Sequence, residues 1–355
     1  MQKLSQTKGE EWSADAPAAP RRTPLLFSIV IPALNEEHVI GQCLDSIAGL
    51  DFPHQKFEVI VVDNGSSDRT YEIAESYREE MNTTVLLRPK VNISALRNAG
   101  AGVSFGEYLI FLDADMVVRG DWLRTAEKLI ISSNAQIIGG SFDVPEHSSW
   151  IARVWFRRKG TAVNLSPSYI PSGQLMMRRS QFNAIGGFDE SLETSEDCDF
   201  CCRARAQGLN LAVYEAISVM HLGSPQTLRA FFRREMWHGS SVFRVFLLNF
   251  ESFQNVKPVF FAIYTLLCLL MIVVTGVIST YRGRILLVLP SVVMLLLAPL
   301  LLALRNMRRE SWQDFPALFI LFLVYGIARA VSLVGIRRHR VGRRDQTEAL
   351  QAASR

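Results

Sequence analysis

Three long apolar stretches near one end of the chain set the terms for everything else in it. Residues 258–280, 285–304 and 315–336 each hold about the 20 residues that a helix needs to cross a bilayer core. The linker between the first two, Tyr281-Arg282-Gly283-Arg284, allows only a tight hairpin. The chain is 49% hydrophobic over 355 residues, and the apolar excess collects after about residue 258. The expectation is a soluble part followed by transmembrane helices over 258–336 and a basic tail over 337–355. That tail carries Arg337, Arg338, Arg340, Arg343 and Arg344. With the soluble part on the cytoplasmic side of the cell (inner) membrane, three crossings place those arginines outside, against the positive-inside tendency. Either the third segment is re-entrant or interfacial, or the tendency is broken here. Arg329 lies inside that segment, roughly 12 Å from Arg337 along a helix. It is placed either to snorkel toward the tail or to face a lipid phosphate.

Composition narrows the partners. A net charge of +4 is only mildly basic and gives no reason to expect nucleic acid. Arginines beside the apolar segments suit anionic headgroups, so membrane lipid is an expected partner. Of the five cysteines, Cys198, Cys201 and Cys202 fall on one helical stretch, a poor disulfide framework, and no second ligand cluster for zinc is visible. They read as reduced thiols in a cytosolic domain. Residues 1–24 are polar, have no apolar core of a secretory signal, and are expected to be a disordered tail.

Residues 25–227 alternate between two periods. Phe27–Ile31, Phe57–Val62, Thr83–Leu87 and Tyr108–Leu112 are short apolar runs of strand type. Between them, 36–50, the stretch up to about Glu80, and 93–103 have helical spacing. Such alternation predicts an α/β fold with a mainly parallel, Rossmann-like sheet and helices on both faces. Ligands of such sheets bind beyond the carboxyl ends of the strands. Two acidic turns lie there, Asp63-Asn64-Gly65-Ser66-Ser67-Asp68 and Asp113-Ala114-Asp115. Residues 228–257 mix Phe, Trp and Leu with Arg229, Arg233, Arg234 and Arg244. They suit either a helix lying in the membrane interface or an amphipathic helix packed on the soluble domain.

Asp113 and Asp115, at i and i+2 on a turn, can face one hard divalent cation, Mn²⁺ or Mg²⁺, which prefers oxygen ligands and bridges to phosphates. A capping turn is the plainer reading of the same residues. Asp63 can accept hydrogen bonds from a base or ribose, with Asp68 capping the next helix. Glu196-Asp197 opens a helix for which Ser195 is the expected N-cap and Gly208 the closing glycine. Carboxylates there either complement the helix dipole or serve as a base.

Taken in order, Phe27-Ser28-Ile29-Val30-Ile31-Pro32-Ala33-Leu34-Asn35-Glu36-Glu37, then Val61 to Asp68, Asp113-Ala114-Asp115, Gly186-Gly187-Phe188-Asp189-Glu190 and Glu196-Asp197 with Arg203 and Gly208 closely resemble the family-two glycosyltransferases. The resemblance covers about residues 27–240. It implies a GT-A fold and inverting transfer from a nucleotide-diphosphate sugar. On it, Pro32, Asn35 and Glu37 border the nucleoside pocket and Asp63 contacts base or ribose. Asp113 contacts ribose or metal, Asp115 holds the metal, and Gly173 lines the donor–acceptor junction. Asp197 is the general base and Glu196 orients it or the acceptor. His221 falls where some GT-A enzymes supply another metal ligand, against the plainer reading of a structural histidine.

Processive synthases of this family carry Gln-x-x-Arg-Trp near the membrane. Here Arg233-Arg234-Glu235-Met236-Trp237 stands in that region, keeping Trp237 but not the Gln or the adjacent Arg. The expectation is therefore a single addition, with Arg233 or Arg234 near the diphosphate. The acceptor is read as a hydroxyl of a lipid-linked or membrane-proximal glycan in envelope or exopolysaccharide synthesis. A polyprenol-phosphate glycosyl synthase is the enzymatic alternative, although a phosphate acceptor needs no carboxylate base. A non-catalytic subunit that binds sugar nucleotide is the other, and it has no need of Asp113, Asp115 and Asp197 together. Residues 139–172 show no legible motif; there Trp150 and Trp155 are read as stacking on an acceptor sugar or sitting at the membrane surface.

Overall fold

The computed structural model describes residues 24–157, 163–165, 167–248, 256–307 and 309–335. The basic tail and all but the last residue of the polar N-terminal segment lie outside these. The first half runs β1 (Phe27–Ala33), α1 (Ile40–Ala48), β2 (Phe57–Asp63), α2 (Thr70–Ser76), β3 (Thr83–Leu87), α3 (Ile93–Gly102), β4 (Tyr108–Leu112), β5 (Met116–Val117) and α4 (Trp122–Ser132). There follow β6 (Ile137–Asp143), α5 (Trp150–Arg157), β7 (Val163–Asn164), β8 (Gln174–Arg178), α6 (Arg179–Ile185), α7 (Glu196–Ala206), β9 (Leu211–His221), α8 (Leu228–Gly239) and α9 (Val242–Leu248). Three long helices close the described chain: α10 (Val256–Arg282), α11 (Leu289–Asn306) and α12 (Phe315–Gly335).

All strands join one sheet in the order β3-β2-β1-β4-β8-β6-β9-β5, with β7 on β9. The first four pair in parallel. They are near-continuous apolar runs because both faces are covered. Phe27, Ile29 and Ile31 of β1 and Val59 and Val61 of β2 point to a core completed by Ile40, Leu44 and Trp122. Val30, Ile60 and Val62 point the other way, to Leu96, Phe182 and Phe200. From β8 onward the sheet is mixed: β8 runs antiparallel to β4 and β6, whereas β6 and β9 are parallel. The parallel order read from the alternation thus holds for β1 to β4. The mixed half is built by long-range pairing that local periodicity does not encode. Pro32 sits past Val30, where the register between β1 and β4 ends, so its missing N–H leaves no gap on that side. The buried Glu58 on β2 accepts from Ser28 Oγ at 2.7 Å and from the Phe105 amide at 2.6 Å.

Among the described residues, three helices are long and apolar enough to cross a membrane: Lys257–Arg282, Ile285–Asn306 and Trp312–Gly335. The third is the most enclosed by protein. A separate cluster joins Ile151, Trp155 and Phe156 of α5 and Phe231 of α8 to Leu318, Leu321 and Phe322 of α12. Trp155 packs edge-on to Phe231 at 4.8 Å and against Phe322 at 5.7 Å. Arg329 turns toward α8, donating from Nη2 to Glu235 at 2.8 Å. At Gly239 a Cβ would collide with Ser332 Oγ, so α8 and α12 touch backbone to side chain. Helix α8 is therefore packed between the sheet domain and α12, and α9 lies against α10.

Candidate active site

The loops after β1 and β2 are laced into one rim. Asn35 takes a left-handed conformation, φ 56°, which an asparagine tolerates better than most residues. Its amide donates to Ser66 Oγ at 2.9 Å, and its side-chain oxygen accepts from the Ser67 amide at 2.8 Å. The Glu37 amide donates to Asp68 Oδ2 at 3.2 Å, and Glu37 Oε2 accepts from the Arg69 amide at 3.2 Å. Asp63 is 1% exposed. Its Oδ1 accepts from the amides of Gly65 and Ser66, both at 2.8 Å, and Oδ2 accepts from Ser66 Oγ at 2.6 Å. Donors from the turn that follows hold this carboxylate at the end of β2, and together they fix the shape of the rim at which a base or ribose contact is expected.

Asp113 and Asp115 leave the end of β4 together but have different neighbours. Asp113 Oδ1 accepts from Arg97 Nη2 at 2.6 Å. Asp115 Oδ2 lies 3.1 Å from His221 Nε2. The short strand β5 makes this second contact possible. It pairs antiparallel with β9, Met116 opposite His221, and the Leu222 amide donates to the Asp115 carbonyl at 2.9 Å. The other ring nitrogen of His221 meets Ser224 Oγ at 3.0 Å. His221 thus stands between Ser224 and Asp115, beside the carboxylate expected to hold a metal. Phe156 and Phe142 flank its ring at 5.4 and 6.3 Å.

Two glycines keep the space beside these carboxylates open. A Cβ at Gly173 would collide with Asp113 Oδ2, and one at Gly223 with Asp115 Oδ2. Burial, then the charge of Asp115, raises the Asp113 pKa against the pull of Arg97. For Asp115 burial is the largest influence and acts upward, but His221 and then Arg234 outweigh it, and the net shift is down. Glu36 is pushed up to about 8 by burial and by Asp115, Asp113 and Asp68. Crowded carboxyls beside two small residues fit a hard divalent cation. Among the described residues no group of three or more His, Cys, Asp or Glu side chains is arranged to hold a metal. Asp113 and Asp115 would be its protein ligands, with phosphate oxygens and water completing the shell.

On the far side of the same rim, α7 begins at Glu196. Ser195 stands at the N-cap in a left-handed conformation, φ 65°, and its side chain makes no capping bond. Asp197 Oδ1 instead accepts from the Cys198 amide at 2.7 Å. Gly208 closes this helix with φ 80°, as the sequence predicts. Glu196 Oε1 accepts from Arg97 Nη1 and from Ser172 Oγ, each at 2.8 Å. Asp197 is pushed up to about 7, by burial first and by the Glu196 charge second; the Cys198 amide, Arg97 and the Ser172 backbone oppose the shift. A carboxylate that titrates near neutrality is matched to taking a proton from a hydroxyl.

On α8, Arg234 reaches the site. Its charge reaches Asp115, its guanidinium lies 5.9 Å from the Phe156 ring, and Nε lies 3.4 Å from His238 Nε2. Arg233 makes no hydrogen bond or ion pair with a described residue, and Trp237 is an exposed side chain whose ring lies tilted at 4.9 Å from that of His238. Trp155 is core between α8 and α12, and Trp150 is exposed. The residue that sequence reasoning missed is Arg97. It is 2% exposed and joins the two acidic motifs.

Comparison with known proteins agrees with this geometry. Residues 28–186 match the family described as Glycosyl transferase family 2, and residues 108–328 match Glycosyl transferase family group 2. The chain is 27% identical over 235 residues to Glycosyltransferase AglE of Haloferax volcanii, covering 64% of this chain and 77% of that protein. It is 26% identical over 225 residues to Pre-mycofactocin glycosyltransferase of Mycobacterium tuberculosis, 60% of this chain and 46% of that one. A match to Poly(ribitol-phosphate) beta-N-acetylglucosaminyltransferase TarS of Staphylococcus aureus is 33% identical over 114 residues, 32% of this chain and only 20% of the relative. Among solved structures, the mannosyltransferase PcManGT from Pyrobaculum calidifontis, in complex with GDP-Man and Mn²⁺, superposes with a TM-score of 0.58 at 15% identity. That superposition covers 93% of this chain and 92% of that one, and it speaks to the fold alone.

Proposed function

The chain belongs to the family-two glycosyltransferases, and we propose that it moves one sugar from a nucleotide-diphosphate sugar to a hydroxyl of a lipid-linked or membrane-proximal glycan. The observation that carries this reading is the joining of two carboxylate pairs through one buried arginine, Asp113 on one arm and Glu196 on the other. One pair is beside glycine-made space and suits a cation on a diphosphate. The other contains a carboxyl poised near neutrality. Relatives whose names describe sugar transfer support the same reading.

In this mechanism the laced loops 34–39 and 64–69 form the wall against which the nucleoside rests, with Asn35 and Glu37 fixing one loop on the other. Mn²⁺ or Mg²⁺, when bound, neutralises charge growing on the leaving diphosphate. Asp115, beside His221, and Asp113, steadied by Arg97, would hold the cation. Arg234 adds positive charge on the Asp115 side. Gly173 leaves the passage between donor and acceptor clear. Asp197 takes the acceptor hydroxyl proton as the oxygen attacks the anomeric carbon and the bond to the diphosphate breaks. The product has inverted configuration. We place the catalytic domain on the cytoplasmic face of the cell membrane, held by the apolar helices.

The test uses the full chain in membranes with a panel of nucleotide-diphosphate sugars and Mn²⁺ or Mg²⁺. Release of nucleoside diphosphate and mass shifts of membrane lipids are the readouts. One donor should turn over and label a lipid-extractable acceptor. Absence of turnover with every donor defeats the reading. Full activity in Asp197→Asn removes the base and points to a phosphate acceptor, seen as a phosphodiester product.

A further inference from the structure

Arg97 is a buried cation shared by two acidic motifs, and we propose that it is a positioning residue that couples the donor-side carboxylate Asp113 to the acceptor-side pair Glu196 and Asp197. The inference rests on the roles proposed above for those carboxylates.

It starts from the placement of the side chain. On α3 the residues turned inward are Ser94, Leu96, Arg97, Gly100 and Ala101, small or apolar apart from one guanidinium. Bringing that charge to 2% exposure costs several kcal/mol unless anions meet it. Two do, and they come from distant parts of the chain. Asp113 is 16 residues from Arg97 and Glu196 is 99 residues away. Nη2 serves the first at 2.6 Å and Nη1 the second at 2.8 Å. A guanidinium is a rigid planar fork, so the separation of its arms sets the separation of the two carboxylates. The fork is itself braced, with Cζ 5.9 Å from the Phe188 ring centroid, and Ser172 Oγ holds the same Glu196 oxygen that Arg97 holds. Asn98, the next residue, fixes the Phe188 segment by accepting from the Phe188 amide at 3.0 Å and donating to its carbonyl at 2.9 Å. One helix thus sets the position of both acidic motifs.

The electrostatics point the same way. The groups that act on Asp197 are Glu196 and the Cys198 amide on its own helix, Arg97 from α3, and the Ser172 backbone. The half-buried Tyr169 and Cys198 lie within its field. Glu196 makes the base harder to ionise, and Arg97 is the cation that offsets it. A cation shared with Asp113 on the donor side would leave more of the guanidinium charge for Glu196.

The experiment compares wild type, Arg97→Gln and Arg97→Lys as full chains in membranes, reading kcat, donor KM and the pH profile of kcat. For Arg97→Gln we expect kcat to fall about 10²-fold, as misplacement of catalytic groups by about 1 Å does. Donor KM should change far less. The acidic limb should move up by about one pH unit, as loss of a nearby opposite charge does. Arg97→Lys should restore the limb, which needs charge, but not kcat, which needs the fork. Wild-type kcat in Arg97→Gln overturns the proposal, as does a loss of kcat with an unmoved limb that Arg97→Lys leaves unimproved. If Arg97→Gln does not fold, Arg97→Lys decides: wild-type kcat there is fatal to the fork argument. A wild-type chain that turns over no donor is a separate result and defeats the reading beneath the proposal.

Discussion

Raising the pH from 6 to 8 should switch the proposed base on while loosening the fold that holds it. Burial and the neighbouring Glu196 push Asp197 up to about 7. A single group of that pKa is ionised to about 9% at pH 6, about 50% at pH 7 and about 91% at pH 8, so kcat should rise roughly tenfold across this span. Stability runs the other way. An unfolded aspartate titrates near 3.9, so between about pH 4 and pH 7 the folded chain holds a proton that the unfolded chain has lost. Stability contributed by that proton is complete below about pH 4 and disappears as pH rises through 7. The assay is kcat with saturating donor at half-unit intervals, beside melting temperature of the same samples. Asp197→Asn should lower kcat by roughly 10²–10⁴ and flatten both profiles. Glu36, pushed up to about 8, titrates just above, and Glu36→Gln separates its contribution. A wild-type kcat flat from pH 6 to 8, or the same limb surviving in Asp197→Asn, would refute the reasoning.

Three further perturbations probe other parts. Gly223→Ala puts a methyl group against Asp115 Oδ2, and kcat/KM should drop about 10²-fold with a higher Mn²⁺ requirement in a metal titration. Glu235→Ala leaves Arg329 charged against an apolar helix, which should cost about 3–5 kcal/mol in denaturant titration in detergent. Replacing both residues by Met should recover most of that. Phe231→Ala empties a fully buried site against Trp155, a loss of about 3–5 kcal/mol measurable the same way, with donor KM little changed.

What could be read from the sequence follows the range of the forces involved. β1 to β4 and the helices between them were legible because their periods are local: β2 is expected at Phe57–Val62 and found at Phe57–Asp63. α1 begins later than its apolar pattern, at Ile40, because the left-handed Asn35 and the lacing to the second loop hold residues 34–39 out of the helix. Asp113 and Asp115 could be placed on the rim from the strand before them. The partner of Asp115 could not, because it depends on a two-residue strand pairing with the end of β9. Nothing in the residue type of Asp63 reveals the three donors that the following turn folds back onto it. Arg97 had a signal that went unused, one charge on the inward stripe Ser94, Arg97, Ala101 of an otherwise small-residue helix. Trp155 was ambiguous for the opposite reason: an aromatic serves equally as a sugar platform or as packing, and only the approach of Phe231 and Phe322 decides.

The joint between α8 and α12 reaches beyond stability. A catalytic head on a loose stalk sweeps a wide volume and meets acceptors at many heights above a bilayer. Here the Trp155–Phe231–Phe322 packing, the Glu235–Arg329 pair and the close approach at Gly239 clamp the head to its third apolar helix. The same α8 carries Arg234, whose charge reaches Asp115. On the proposed function such a mount would act as a ruler: with the reaction centre fixed relative to the apolar helices, acceptors would be sorted by how far their hydroxyl stands from the lipid as well as by its identity.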